Sequence, residues 1–428
     1  MLSSLLNDVD KKHLRRSFLF FFCVAVCAYL SIMVLFSPHG DDHARHIYNY
    51  GVGNSLYFRV ATRMVELLTF FSYRLAFDTV PFFTLLSCGI LACIAIICRK
   101  ILDLISDNEC SNDKFVLLCF IPIIVNPYLA EAMIFRFDTP FMMIPLLCVM
   151  MAVYLAVIEQ YAADSNLLVK NFGKWRLELA QIALLLLSLL FYQTAISTYF
   201  TLFAYVCMTN LTEKKSLWKI LMEMRHWFSN IFITLAIYLL ILAFGPKKTL
   251  YDEFSAVLPK NFTEIINNVI NNAIMYFCSL YTDWSCNAVG ILFFTMLVIF
   301  FLSLIYDIWK KSNGRLAAAL KNIILYGGMG TFLLGPFTAC LPLDLYQHNV
   351  SGYITPRVLY TFGILMALVL YKNYMFLAKQ VIIKNIYRFF LITFGIWSIS
   401  YMNAFGNIMH MQFLLEDKVA YELANDLH

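Results

Sequence analysis

The chain has 428 residues, of which 61% are hydrophobic and only 14% are charged. A soluble protein would carry about a quarter charged residues, so this composition excludes an ordinary soluble chain. The net charge of +5 comes without zinc-finger spacing or a basic run interleaved with aromatic residues. Nucleic-acid binding is therefore not expected.

Apolar blocks of about 17–22 residues recur along the chain, and each is long enough to cross about 30 Å of hydrocarbon as a helix. The sequence therefore predicts an all-α polytopic membrane protein with about eleven transmembrane helices, within a range of about 10–12. The fifth and sixth blocks are short, and one long helix through Tyr192 is the alternative. The predicted spans are 17–36, 80–98, 115–127, 141–157, 178–192, 195–208, 228–244, 288–306, 322–341, 358–371 and 389–405.

The basic residues predict the orientation of these spans. The first span follows Lys11, Lys12, Arg15 and Arg16 and has no small-residue cleavage site, which favours an uncleaved signal anchor with a cytoplasmic N-terminus. Of the 32 Lys and Arg residues, 22 lie in segments assigned to the cytoplasmic side, as the positive-inside rule requires. One membrane domain, 1–428, is expected. The long loops 37–79 and 245–287 and the tail 406–428 lie outside.

The first outer loop begins with two adjacent carboxylates, Asp41 and Asp42, and continues to Arg45. A like-charged neighbour and a low-dielectric boundary raise the pKa of a carboxyl group towards the range of a general base. An arginine beside it can bind a phosphate with two hydrogen bonds. A solvated loop start is the alternative interpretation of this pair.

Nearby histidines, at positions 39, 43 and 46, match no established metal-ligand spacing, so a divalent metal is possible here but not favoured. Residues 55–71 have helical period, with apolar residues opposite Arg59 and Arg63, and residues 262–274 have a second such pattern opposite asparagines. Both patterns predict amphipathic helices in the membrane interface. For the first, simple anchoring and contact with phosphate remain open.

A second group of charges lies between the third and fourth predicted spans, at Glu131, Arg136 and Asp138. Charges at this depth are costly unless they are paired or face a wet cavity. An internal ion pair and a contact with substrate are both compatible with the pattern. Gln193 and Arg357 are predicted at the same outer face, so polar groups converge there.

An ordered set of motifs runs through most of the chain: Asp41-Asp42-x-x-Arg45, Gly51, Arg59, Glu131…Arg136-Phe-Asp138, Tyr192-Gln193-Thr-Ala-Ile-Ser and Arg357-Val-Leu. In this order and position the set resembles the serotype-converting O-antigen glucosyltransferases, the GtrII-like polytopic membrane enzymes of GT-C type. The resemblance implies a hexosyltransferase in the bacterial inner membrane with a periplasmic active site. Its donor would be a polyprenyl-phosphate sugar such as undecaprenyl phosphate glucose, supplied by a donor synthase and a donor flippase.

The acceptor implied by the resemblance is lipid-linked O-antigen, the polysaccharide of lipopolysaccharide. Asp41 or Asp42 would be the catalytic base. Phosphate is a good leaving group, so no cofactor is expected. The residues expected to contact donor phosphate or substrate are Arg45, Arg59, Glu131, Arg136, Asp138, Gln193 and Arg357. An O-antigen polymerase and a lipid-linked oligosaccharide flippase remain alternatives, although a transporter would place its charges near the bilayer midplane.

Overall fold

The computed structural model describes residues 8–35, 82–106, 113–134, 139–161, 173–212, 217–244, 261–285, 288–311, 315–341, 356–377 and 380–426. Within these ranges the chain forms helices and no strand, which confirms the predicted all-α class. The α-helices are α1 Asp8–Val34, α2 Phe82–Ile105, α3 Ile121–Ile124, α4 Pro127–Ile134, α5 Thr139–Tyr161, α6 Lys174–Phe191, α7 Ser197–Leu211, α8 Leu217–Phe244, α9 Phe262–Ser285, α10 Ala288–Lys311, α11 Arg315–Leu334, α12 Phe362–Leu377 and α13 Val381–Asp426. The 3₁₀ helices are η1 Lys114–Phe120, η2 Gln193–Ile196, η3 Gly335–Cys340 and η4 Pro356–Leu359.

The predicted spans fall on these helices, although 115–127, 322–341 and 358–371 each extend over more than one helical element. In the described part of the chain, 7 helices are long and apolar enough to cross a membrane, or up to 8 if the bent helix pair before α5 is one span. The remaining predicted spans lie on helices that are shorter or carry more charge, such as α7 and α12. The polytopic membrane class is therefore supported, and the count of about eleven stays a prediction.

The third predicted span differs from the expectation. It was expected to end near residue 127 in a turn, but the chain forms a second helix, α4, bent by 56° from the first. Asn126 explains the restart, because its Oδ1 accepts a hydrogen bond from the backbone N–H of Leu129 at 3.1 Å. Proline at the first helical position, after an asparagine N-cap, is a strong helix start. Glu131 therefore lies on a helix and not in a turn.

Gly363 allows α12 to pack directly on this break. A Cβ at Gly363 would collide with the backbone carbonyl of Pro122 and with the side chain of Asn126. Asn126 itself is buried and also donates from Nδ2 to the carbonyl of Pro122 at 3.1 Å. The glycine is thus required by close approach of backbones.

The fifth and sixth predicted spans are separate helices, so the alternative of one long helix is wrong. Helix α6 ends at Phe191, and Tyr192 has extended backbone angles of φ −153 and ψ 104. The short η2 follows before α7 begins at Ser197.

Helix ends gather at two opposite ends of the bundle. We call one the basic end, where helix ends are joined by polar contacts between pairs of side chains that the structure describes. These pairs are Ser17–Arg99, Ser106–Tyr371, Tyr161–Asn210, Asp307–Lys372, Asp113–Lys384 and Glu159–Lys174. All of these ends were predicted to face the cytoplasm, so the alternation of the predicted spans agrees with the packing.

At the other end, which we call the opposite end, the described residues make several aromatic contacts. The pairs are Phe83–Phe141, Tyr128–Phe362, Tyr192–Tyr360 and Tyr276–Phe337. Helix α9 also makes hydrogen bonds at this end, from Asn272 to the carbonyl of Leu341 at 3.0 Å and between Asp283 and Tyr128 at 3.1 Å. It therefore runs along the opposite end, as expected of an interfacial helix.

Part of the apolar surface of α9 is exposed, and part packs against the core. Ile266, Ile270 and Ile274 are exposed, whereas Asn272 is buried against η3. Exposed isoleucines on a helix at this position are suited to lipid. On the asparagine face, Asn272 supplies a packing contact, while Asn267 and Asn271 are exposed.

Helix α13 has 46 residues, about 69 Å of helix, which is more than twice the thickness of a hydrocarbon core. It packs against α1, where Asn403 donates to the carbonyl of Cys27 at 2.8 Å. The segment 406–426, predicted as an outer tail, continues this helix.

Candidate functional site at the opposite end of the bundle

Short helical segments meet at the opposite end and bring together positions that are distant in sequence. Helix α4, which carries Glu131, packs against η4, which contains the backbone of Arg357. Segment η2, which begins with Gln193, packs against η3, and η3 packs against η4. Three of the predicted site positions thus lie on one connected set of elements.

Gln193 is positioned by the break between α6 and α7. The extended backbone at Tyr192 ends α6, and Gln193 then opens η2. Its Nε2 donates a hydrogen bond to the hydroxyl of Tyr238 on α8 at 3.1 Å. The neighbouring Tyr192 ring lies 5.7 Å from the ring of Tyr360, which is buried.

Glu131 is half-buried one turn after Tyr128 on α4. Tyr128 is buried, packs its ring against Phe362 at 5.4 Å and donates its hydroxyl to Asp283 Oδ2 at 3.1 Å. A short helix that is held on both sides in this way keeps its carboxylate in a defined place. That is the property expected of a group that contacts substrate.

Tyr128, Tyr238 and Asp283 were not singled out from the sequence. Tyr128 and Asp283 lie in segments that were predicted to be external, so their polarity was the available signal. Tyr238 lies within a predicted span, and its hydrogen bond with Gln193 is the observation that places it at the candidate site.

The other predicted site residues lie outside the described residues: Asp41, Asp42, Arg45, Arg59, Arg136 and Asp138, together with the side chain of Arg357. For Arg136 and Asp138, the chain on both sides is described. Arg136 and Asp138 lie between α4 and α5, whose facing ends are joined by the hydrogen bond from Thr139 Oγ1 to the carbonyl of Ala132 at 3.3 Å. Asp41 follows the end of α1 at Val34 by seven residues, a reach of at most about 25 Å.

Together, the fold and the site define a polytopic membrane protein whose predicted polar site is built on short segments at one end of its helix bundle. A family model described as Glucosyl transferase GtrII matches residues 30–368. This range covers most of the 428 residues and includes every predicted site position, and the chain belongs to that family. Membership of this family implies that the protein is a glucosyltransferase. No curated protein and no solved structure matches the chain.

Proposed function

We propose that this protein moves a glucosyl residue from a polyprenyl-phosphate donor to lipid-linked O-antigen at the periplasmic face of the bacterial inner membrane. The donor's lipid chain would lie among the helices, and its sugar phosphate at the opposite end of the bundle. A donor synthase and a donor flippase would supply the substrate from the cytoplasmic side. The modified O-antigen would carry a changed serotype.

The proposed reaction is a single displacement with inversion at the anomeric carbon. Asp41 or Asp42 takes the proton from an acceptor hydroxyl, whose oxygen forms the new bond to that carbon. The bond between the anomeric carbon and the donor phosphate oxygen breaks, and polyprenyl phosphate leaves. A positioned base contributes about 10²–10⁴ in rate.

The leaving phosphate gains negative charge as this bond breaks, so cations in fixed positions lower the barrier. Arg45, Arg59, Arg136 and Arg357 are the proposed sources of that charge. Glu131, Asp138 and Gln193 would bind hydroxyl groups of the sugars. Phosphate leaves readily when it is stabilised in this way, so the reaction needs no metal.

One observation carries this proposal beyond the family match. Helix α4 with Glu131 packs against the segment of Arg357 at the opposite end of the bundle. A flippase or another transporter would concentrate its charges near the midplane of the bilayer. Charges grouped at a bundle end favour an enzyme whose substrates meet at the membrane surface.

Alanine variants of Asp41 and Asp42, made singly, test the assignment of the base. We expect at least one variant to lose about 10²–10⁴ of its activity, measured by mass spectrometry of O-antigen from cells that express it. Asp417→Ala is the matched control, because Asp417 is an exposed carboxylate on α13 beyond the range matched by the family model. Normal membrane levels and normal melting behaviour of each variant show that it is folded.

The same spectra separate the rival functions. One added hexose for each repeat unit indicates a glucosyltransferase, whereas a changed chain length indicates a polymerase. Loss of surface polysaccharide indicates a flippase. Full glucosylation by both aspartate variants would refute the base assignment.

A further inference from the structure

A second cluster of polar side chains lies at the basic end, where α5, α6 and α8 meet. Glu159 on α5, Glu178 on α6 and His226 on α8 each offer a ligand atom, and these atoms all lie within 4.8 Å of one another. Glu178 is 13 residues from the end of α6, about 20 Å along the helix from the segment of Gln193. The cluster is therefore separate from the proposed glucosyl-transfer site and does not depend on that proposal.

A lysine ammonium lies between two of these side chains. Lys174 Nζ is 3.3 Å from Glu159 Oε1 and 3.1 Å from His226 Nε2. On the other side of the ring, His226 Nδ1 is 3.2 Å from Glu178 Oε1. The position between Glu159 and His226 is thus one that a cation already occupies.

These contacts define the state of the imidazole. An ammonium group can only donate, so Nε2 of His226 must accept, and the ring proton lies on Nδ1 facing Glu178. Metals bind an imidazole through a ring nitrogen that carries no proton, here Nε2, which faces Lys174 and Glu159. The carboxylate on the other nitrogen holds the ring in the correct tautomer and orientation.

Glu159 is held in place by a chain of buried amides. Its Oε2 accepts from Gln181 Nε2 at 3.2 Å, and Gln181 Oε1 accepts from Asn230 Nδ2 at 2.7 Å. Gln181 and Asn230 are only 2% and 3% exposed. A polar chain inside a helix bundle is costly unless it is satisfied, and here it aligns the carboxylate with the neighbouring histidine.

The remaining oxygen of Glu159 points to a ligand. Oε1 is shielded from solvent and accepts no hydrogen bond from the described residues. Its charged neighbour is the ammonium group of Lys174. A shielded carboxylate oxygen needs a cation or a donor beside it, and here that ammonium is the cation. The side chain of Lys174 is 56% exposed, so it is free to move into solvent and leave the position to another cation.

We propose that Glu159, Glu178 and His226 form a binding site for a divalent first-row transition metal, for which Zn²⁺ is the probe. Imidazole with carboxylate oxygens is a set of ligands that such metals bind and that Mg²⁺ or Ca²⁺ does not prefer. Glu159 Oε1 and His226 Nε2 are the direct ligands, and Glu178 orients the ring through Nδ1. Lys174 occupies the position when the metal is absent. Bound metal would join α5, α6 and α8 at the basic end.

Zn²⁺ binding to the full chain, purified in detergent without a histidine tag, tests this proposal. We expect one saturable Zn²⁺ for each chain by equilibrium dialysis with metal analysis, and a higher melting temperature with Zn²⁺. Glu159→Gln and His226→Asn should each abolish this binding. Glu178→Gln should weaken it about 10–100-fold, as expected for a group that orients a metal ligand.

Lys174→Met separates a metal site from a simple network of ion pairs. If the ammonium competes with the metal, Lys174→Met binds Zn²⁺ more tightly than wild type, although it loses an ion pair. Glu223→Gln is the matched control, because Glu223 is a neighbouring carboxylate on α8 that accepts from Gln160.

The amount of zinc bound by exposed thiols, such as those of Cys23, Cys27 and Cys278, would be equal in wild type and in every variant. Wild type without saturable Zn²⁺ binding would overturn the proposal. So would equal binding by wild type and the Glu159 and His226 variants, or a Lys174→Met variant with unchanged or weaker affinity.

Discussion

The two ends of the bundle use charge in different ways. At the basic end, several cations pair with carboxylates on other helices, as in Asp307–Lys372 at 3.1 Å and Asp113–Lys384 at 2.9 Å. At the opposite end, the described side chains make hydrogen bonds between amide, phenol and carboxylate, as in Gln193–Tyr238 and Tyr128–Asp283. Ion pairs between helices are thus what the described residues show at the basic end.

This difference shows what charge density indicates in a membrane protein. Lys and Arg accumulate on the cytoplasmic side because of how chains insert, and pairing then uses many of them to hold helix ends together. A smaller number of charges at the other side has no such origin. These charges are kept at a cost, which makes them better candidates for chemistry.

The largest expected effect is on the packing that forms the opposite end. Gly363→Ala places a Cβ against the backbone carbonyl of Pro122, which cannot move without displacing α3 and α4. Overpacking of this kind should lower the free energy of unfolding by about 3 kcal/mol. Activity should fall with it, because α4 carries Glu131. Thermal unfolding in detergent and glucosylation in cells measure the two effects.

Gly89→Ala on α2 is the matched control, because a Cβ there meets nothing within 4 Å. Alanine in place of an unhindered helical glycine should stabilise the protein by about 0.5–1 kcal/mol. Equal behaviour of the two variants would contradict the close packing of α12 against the helix break.

The next effect separates activity from stability. Glu131→Gln keeps the shape of the side chain and removes its charge. Loss of a charge-assisted hydrogen bond to substrate is worth about 1.5–3 kcal/mol, which is about 10–100-fold in rate. Glucosylation should fall by that factor, with a change of melting temperature too small to account for it.

Asp307→Asn is the matching change at the basic end, and it should affect stability and not activity. It removes the ion pair with Lys372, lowers stability slightly and leaves glucosylation unchanged. If Glu131→Gln loses stability and keeps activity, Glu131 belongs to an internal ion pair and not to the site.

Several features of the fold were predictable from the sequence, because they depend on local pattern. Apolar length placed the spans, and period predicted the amphipathic α9. The Asn126-Pro127 pair also carried a helix-start signal, but a span ending there was an equally simple interpretation. The direction in which the helix restarts depends on Gly363, which is distant in the sequence and contributes no local pattern.

The site was predictable in composition but not in arrangement. Glu131, Gln193 and Arg357 are recognisable as polar residues near span ends, and the resemblance gave them an order. The elements that carry these residues come together through the packing of η2, η3 and η4, which is a tertiary property. The cluster of Glu159, Glu178 and His226 could not be found by spacing, since three helices each supply one residue.

A smaller effect, on stability alone, is expected at Asp113, a highly connected carboxylate of the basic end. Its Oδ2 accepts from Tyr374, Lys384 and Arg388, and Oδ1 accepts from the backbone N–H of Phe115 at 3.1 Å. Burial alone would raise the pKa of Asp113, but these hydrogen bonds outweigh it and hold the pKa well below its usual value.

Asp113→Asn should lower the free energy of unfolding by about 1–2 kcal/mol near pH 7. The effect is limited because the ion pairs of Asp113 with Lys384 and Arg388 are partly exposed and solvent screens them. A depressed pKa stabilises the fold above the unfolded value of about 3.9, and this contribution is lost as the pH falls below it. The difference between wild type and variant should therefore be constant from about pH 5 to 8 and should shrink below about pH 4.

Asp103→Asn, at a looser pair 3.6 Å from Arg99, should cost clearly less. A loss of glucosylation in Asp113→Asn at unchanged stability would show that the basic end takes part in the chemistry, and the contrast between the two ends would fail.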